Sequence, residues 1–325
     1  MIGRREFIGL VGGAAAAWTL PARAQQKAMP VIGFLSPASA DAVVPHKAGF
    51  TLGLGEAGYV VGQNLAIEYR WADDAYDRLP ALAADLVGRK VDVIVAQAPA
   101  AARAAKNATT TIPIVFGVGA DPVAEGLVAS LARPGGNLTG VSLLSADLAA
   151  KRLDLLSELV PEARHFALLV NPKNLNTWIG RLQDRASAKR WKVLILKAAS
   201  EPEIDAAFAA IVHQQAQALV VGDDPFLFSK RAQIIRLAAR HRIPAIAQYR
   251  GFPEDGGLVS YGSSLKESYR QIGLVTAKVL RGAKPADLAV QQPTKFEMVI
   301  NLKTAKALGP AMSPLLLAQA DEVIE

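Results

Sequence analysis

Val91-Asp92-Val93-Ile94-Val95-Ala96, a helix-like segment, and then Ile112-Pro113-Ile114-Val115-Phe116 form a unit that spans Val91 to Gly119. It returns between Ala218 and Gln248, as Ala218-Leu219-Val220-Val221-Gly222-Asp223, a second helix-like segment, and Ile243-Pro244-Ala245-Ile246-Ala247. Short Val/Ile-rich runs separated by amphipathic stretches read as buried parallel strands joined by crossover helices. Finding the unit twice predicts two similar α/β lobes with a cleft between them.

Working outward, Val31 to Leu35 reads as a first strand and His46 to Ala57 as a helix stopped by Gly58. Gly53-Leu54-Gly55-Glu56-Ala57-Gly58 matches a dinucleotide-binding string. It sits at the end of a helix rather than between a strand and a helix start, so the match is spurious. Leu65 to Tyr69 alternates as a strand, and Arg78 to Arg89 reads as a helix. Beyond Phe116 the expectation is a helix over Val123 to Leu131, a turn at Arg133 to Asn137 and a strand over Leu138 to Leu143.

The same rhythm then restarts. Helices are expected over Ala149–Leu159, Asn176–Arg190 and Glu203–Gln215, alternating with strands at Phe166–Val170 and Val193–Leu196. Tyr249-Arg250-Gly251-Phe252 reads as a turn before a strand at Leu258–Tyr261, and Leu265 to Arg281 as a long amphipathic helix. Phe296–Ile300 reads as a strand, followed by helices at Thr304–Leu308 and Pro314–Ile324. These late elements exceed what a second lobe needs. The expected division is lobe 1 at 31–141 plus 258–283 and lobe 2 at 142–257 plus 284–325, joined by a three-crossing hinge.

Residues 1–24 read as a signal peptide of the twin-arginine type. Arg4-Arg5 precede an apolar run from Ile8 to Leu20, too short to span about 30 Å of hydrocarbon, and Ala22-Arg23-Ala24 supplies a cleavage site. The expected destination is the periplasm. The chain has no cysteine, which excludes disulfides, zinc–thiolate sites, a cysteine nucleophile and a lipid-modified cysteine anchor. Its net charge of +7 is scattered over helix faces, unlike the concentrated stripe of a nucleic-acid binder, so no nucleic-acid partner is expected.

No phosphate-loop, zinc-protease or nucleophile-elbow string occurs, and no carboxylate pair is diagnostic of acid–base work. The four histidines, His46, His165, His213 and His241, fall on or beside helices, away from strand ends, and read as structural. No cofactor, metal or reaction is implied. In open α/β sheets ligands bind outside the carboxyl ends of the strands. Those ends offer Ser36, the run Gln97-Ala98-Pro99, Gly119 and Asp121, then Ser142 and Asn171. In the second lobe they offer Asp223, Asp224 and Tyr249, with Tyr261 on a later strand. Helix-start N–H groups suit a carboxylate, an Asp suits an ammonium, and tyrosines stack on apolar groups. Asp121-Pro122, Asp224-Pro225 and Asn171-Pro172 equally fit plain helix caps, and Tyr261 equally fits a core position.

The chain also resembles the soluble substrate-binding proteins of bacterial ABC importers, in the family that includes tryptophan-type binding proteins. The matching residues include Gly53 to Tyr59, Gly62-Gln63-Asn64, Arg78 to Val87, and Thr109 to Phe116. Further matches are Asp121-Pro122 with Gly126 to Leu131, Arg133 to Asn137 with Thr139-Gly140-Val141, Pro293 to Glu297 and Asn301 to Gly309. Gln97-Ala98-Pro99-Ala100 departs from the Gly/Thr-containing versions of this family. The resemblance implies a type I periplasmic binding fold and a monomer that captures a small organic solute, an amino acid or an aromatic or carboxylate compound. An ABC permease in the inner membrane is the implied partner. A ligand sensor feeding a membrane receptor, or an enzyme on the same scaffold, are the alternatives.

Overall fold

The structure is a computed structural model that describes residues 29–174, 179–309 and 313–325; the signal-peptide reading lies outside the described residues. The first half alternates strand and helix as far as β4, and β5 then follows through turns: β1 (Val31–Ser36), α1 (Val44–Glu56), β2 (Ala66–Trp71), α2 (Leu79–Gly88), β3 (Val93–Gln97), α3 (Ala98–Ala108), β4 (Ile114–Val118) and β5 (Leu138–Ser142). The five strands form one parallel sheet in the order β2-β1-β3-β4-β5. β3 and β4 are buried along their whole length, as central strands covered on both faces must be, and so is β5 at one edge. β2, at the sheet edge, is only half-buried, and it carries the alternating Ala66-Ile67-Glu68-Tyr69 pattern.

The second half runs α4 (Ser145–Leu159), β6 (His165–Val170), α5 (Ile179–Ala188), β7 (Lys192–Lys197), α6 (Glu201–His213), β8 (Ala218–Val221), α7 (Pro225–Ser229), α8 (Arg231–His241), β9 (Ala245–Ala247), α9 (Gly251–Glu254) and β10 (Val259–Ser263). It ends with α10 (Leu265–Leu280), β11 (Phe296–Asn301), α11 (Leu302–Leu308), α12 (Pro314–Gln319) and β12 (Glu322–Ile324). The second sheet has the order β12-β11-β10-β9-β8-β6-β7, parallel except for the antiparallel pair β10–β11. In both repeated units the two strands lie side by side and parallel, β3 against β4 and β8 against β9.

Three expectations need correction. The segment 258–283 does not return to the first lobe as a block: β10 pairs with β9 and β11 in the second sheet, and only α10 crosses over. Val123 to Leu131 is a series of turns, because Gly126 takes a left-handed φ of +64° that ends any helix there. Pro314 to Ile324 is helical only to Gln319. Asp321 then exchanges hydrogen bonds with Met298, its Oδ2 accepting from the Met298 N–H and its own N–H donating to the Met298 carbonyl, which starts β12. The expected turn at Tyr249–Phe252 leads into the single helical turn α9.

Three crossings connect the lobes among the described residues: after Ser142, after Ser263 and between Gln291 and Phe296. The first and the third are tied together by Ser142 N–H donating to the Gln291 carbonyl (2.9 Å) and Gln291 N–H donating to the Gly140 carbonyl (2.9 Å). The glycine string of α1 has a packing role that its sequence did not reveal. A Cβ on Gly53 would lie 2.0 Å from the Arg270 carbonyl oxygen, and one on Gly273 would lie 2.4 Å from that of Phe50. Backbone thus meets backbone where α1 crosses α10. Gly58, at φ +80°, is the helix stop.

Candidate ligand site

The carboxyl ends of β3 and β4 face those of β8 and β9 across the cleft, and a cavity lies between them. It holds about 430 Å³ of atom-free space, mouth included. The first lobe supplies Gln97, Ala98 and Pro99 from the β3–α3 turn, and Gly117 and Gly119 from β4 and the turn after it. The second supplies Asp223, Asp224, Tyr249, Phe228 and Asn174. Leu143, at the first crossing, and Leu265 and Tyr269 of α10 close the wall.

The two neighbouring aspartates do different things. Asp224 caps α7: its Oδ1 accepts from Leu227 N–H (3.1 Å) and Asn171 Nδ2 (3.1 Å), and its Oδ2 accepts from the Tyr76 hydroxyl (2.8 Å). The last bond spans the cleft, since Tyr76 belongs to the first lobe. Asp223 is not used as a cap. Its Oδ1 accepts from Gln248 Nε2 (2.9 Å) and from the Tyr249 hydroxyl (3.0 Å), which hold the carboxylate in the cavity wall. Below it the fully buried Arg152 of α4 donates to the Tyr261 carbonyl (3.3 Å), and its charge attracts Asp223. Burial pulls the Arg152 guanidinium down from its ordinary value, and Asp223 partly offsets that.

Of the other expected site residues, Ser36 is buried in the turn after β1, where its Oγ accepts from Ala38 N–H. Asp121 accepts from Val123 and Ala124 N–H, a local cap. Ser142 belongs to a crossing, and Asn171 orients Asp224 while its Oδ1 accepts from Lys173 N–H. Tyr261 is half-buried against Phe296 in the second lobe. None of these five lines the cavity.

His46 was expected away from the strand ends, yet it lies at the cleft. It is buried in the cavity wall, with its ring 4.6 Å from that of Tyr269 and 6.3 Å from that of Phe228. Phe228 in turn meets Tyr249 edge-on at 5.7 Å. Tyr269, Phe228, Leu143, Leu265, Tyr76 and Arg152 also escaped the sequence reading. The Leu265/Tyr269 spacing of four was a faint signal, a single helix face, but only the crossing of α10 turns that face to the cleft.

Burial raises the Tyr269 and Tyr76 phenols well above their ordinary values, with Asp223 and Asp224 respectively adding to it. Two shifts oppose each other. Burial lifts the Asp224 carboxyl from 3.8 to about 6 against its three hydrogen bonds, and burial plus the Arg231 charge lowers the His46 imidazole from 6.5 to about 4. Asp224 contributes stability that is present below pH 3.8 and lost as pH rises through about 6. His46 contributes stability that is present above pH 6.5 and lost as pH falls toward about 4. At about 3 kcal/mol each, the two slopes nearly cancel between pH 4 and 6. Asp224→Asn is therefore expected to leave a stability that rises with pH over this window. His46→Gln is expected to leave one that falls. Urea unfolding at half-unit pH steps reads both slopes, and parallel curves for the two variants would refute the assignment.

Ala98 takes φ +67°, a left-handed conformation that disfavours a side chain, at the turn from β3 into the cavity wall. Ala98→Gly relieves that strain at the expense of a more flexible unfolded chain. The expected net gain is about 0.5–1 kcal/mol in unfolding free energy. A lowered melting temperature would show that the turn is not strained.

Among the described residues, no group of three or more His, Asp or Glu side chains is placed to hold a metal ion, and no helix is long and apolar enough to cross a membrane.

Comparison with known proteins agrees with this geometry. Residues 31–324 match the family described as ABC transporter substrate binding protein. A tyrosine-binding protein of Clostridioides difficile is 32% identical over 265 residues, covering 81% of this chain and 76% of that protein. A conserved domain protein from Vibrio cholerae superposes with a TM-score of 0.85 at 28% identity, covering 91% of this chain and 99% of that one. An ABC domain from Streptococcus pneumoniae in complex with L-Trp superposes at 0.82 with 26% identity, and a ligand-free, open substrate-binding protein with adhesive properties from Clostridium difficile at 0.64 with 27%. Each of these two covers 91% of this chain and 99% of its own. The parallel-sheet lobes, the cleft at their strand ends and these matches together place the chain in the ABC transporter substrate-binding protein family.

Proposed function

We propose that this protein captures an amino acid with an aromatic side chain between its two lobes and delivers it, as a soluble periplasmic monomer, to an ABC permease for import. The observation that carries the reading is the Asp223 carboxylate, held by Gln248 and Tyr249 in the wall of a cavity otherwise rich in rings. A half-buried carboxylate held in a cavity wall suits a cation, and an α-ammonium supplies one. The first-turn N–H groups of α3, which the Gln97 side chain does not cap, suit the α-carboxylate. His46, Tyr269, Phe228 and Tyr249 suit a flat apolar side chain.

Closure of the lobes about the three crossings would complete the site. Contacts across the cleft support this: Tyr76 to Asp224, Lys173 Nζ to Asp77 (3.0 Å) and Ser229 Oγ beside Asp74 (3.2 Å). The TM-scores point the same way. Identity to the L-Trp complex and to the ligand-free open structure is alike, yet the former superposes better, which fits a closed arrangement here. A ligand with contacts on both lobes would shift the balance toward that arrangement.

Isothermal titration against the twenty amino acids and a set of aromatic carboxylates, with small-angle scattering before and after addition, tests the proposal. Saturable binding of an aromatic amino acid with a fall in radius of gyration is the expected result. Binding only of non-aromatic solutes, or no compaction, would overturn it.

A further inference from the structure

Two residues of the cavity wall, only 4% and 6% exposed, each carry a polar atom without a hydrogen-bond partner among the described residues: His46 Nδ1 and Gln97 Oε1. Buried polar groups are otherwise paired, and leaving one unpaired is destabilising. Simple packing does not account for His46. Its ring lies among Tyr269 and Phe228, where a phenylalanine would fill the same space with no polar atom to desolvate. The imidazole is neutral, since burial and the Arg231 charge lower it to about 4. It therefore repels no ligand ammonium and retains one nitrogen as acceptor and one as donor.

We infer that His46 is a specificity-determining residue, hydrogen-bonded to a polar atom on the ring of the bound amino acid, so that the site selects phenol and indole side chains over phenyl. This rests on the aromatic amino-acid reading above. A phenol hydroxyl both donates and accepts, so it satisfies an imidazole nitrogen in either tautomer; an indole N–H satisfies the acceptor nitrogen; a phenyl ring satisfies neither. Gln97 Oε1 adds a second acceptor in the same wall, which again favours a ligand rich in donors. Selectivity of this kind comes from the penalty on the wrong ligand, which strands a buried polar group that the right ligand would have satisfied.

The test is titration of the full chain, its His46→Phe variant and its His46→Asn variant with L-tyrosine, L-tryptophan and L-phenylalanine. The unaltered protein is expected to bind tyrosine or tryptophan about 10- to 100-fold tighter than phenylalanine, the effect of leaving one or two buried polar atoms unpaired. In His46→Phe that ratio is expected to shrink to about 3-fold or less, with phenylalanine binding retained. His46→Asn keeps a hydrogen-bonding group and is expected to preserve part of the preference, which also covers the case where the phenylalanine variant misfolds. An unchanged ratio in both variants, or phenylalanine binding as tightly as the other two to the unaltered protein, overturns the role of His46 and leaves the aromatic reading standing. Absence of binding by all three overturns both.

Discussion

Asp223→Asn is expected to weaken amino-acid binding by about 100-fold or more, because truncating one member of a buried, hydrogen-bonded charge pair costs about 2–5 kcal/mol. Asparagine has the same shape and still accepts from Gln248 and Tyr249 through its carbonyl oxygen, so the wall keeps its form. What disappears is the negative charge. The ligand ammonium would then lose its anionic partner, while the like charge of the buried Arg152 stays behind the wall. Because only the charge changes, the loss should fall on dissociation rather than on capture. Titration calorimetry reads the affinity and stopped-flow fluorescence the rates; a weakening below about 5-fold would remove Asp223 from the role of ammonium partner.

The equivalent expectation for stability concerns Gly53→Val. The first added carbon would lie 2.0 Å from the Arg270 carbonyl oxygen, an encounter with backbone that no rotamer relieves. Helix α1 must then lift from α10, opening the seam at Phe50, Leu54 and Ile272, all buried in the first-lobe core. Overpacking of this kind costs about 1–3 kcal/mol, and a clash with backbone belongs at the upper end. For a chain of this size that lowers the melting temperature by about 3–5 °C. Gly55→Val on the same helix, where an added carbon meets nothing within 4 Å, is the control and should be far milder. Equal effects at the two positions would show that helix propensity, rather than the crossing, governs the loss. Since α10 also carries Leu265 and Tyr269 into the cavity wall, the clash should weaken ligand binding as well.

The site was legible only in part, and residue by residue the reason is clear. Gln97, Ala98, Pro99, Gly119, Asp223, Asp224 and Tyr249 could be picked out because each ends a strand or opens the following helix, which is a local pattern. Ser36 and Asp121 fit the same pattern, yet their hydrogen-bonding groups are spent on their own turns. Position at a strand end therefore does not by itself separate a cavity residue from a cap. His46 was misjudged because a helical histidine carries no sign of what will pack against it, and its neighbour Tyr269 comes from near the other end of the chain. The glycine string was rightly refused as a nucleotide site, but its partner α10 could not be inferred from α1 alone.

The sequence by itself determined the alternating strands and helices, the doubling of the β-α-β unit and the face on which a ligand would sit. Those follow from the spacing of apolar residues and from turn chemistry, which act over a few residues. Tertiary structure alone decided that β10 stays with the second sheet while α10 leaves it, that β11 runs antiparallel, and that Tyr76 reaches Asp224 across the cleft. A strand's edge can accept several partners, and which one it takes is settled by the whole sheet and the core beneath it. The cavity wall was assembled the same way, by backbone-to-backbone packing at Gly53 and Gly273 that turns one face of α10 toward the cleft.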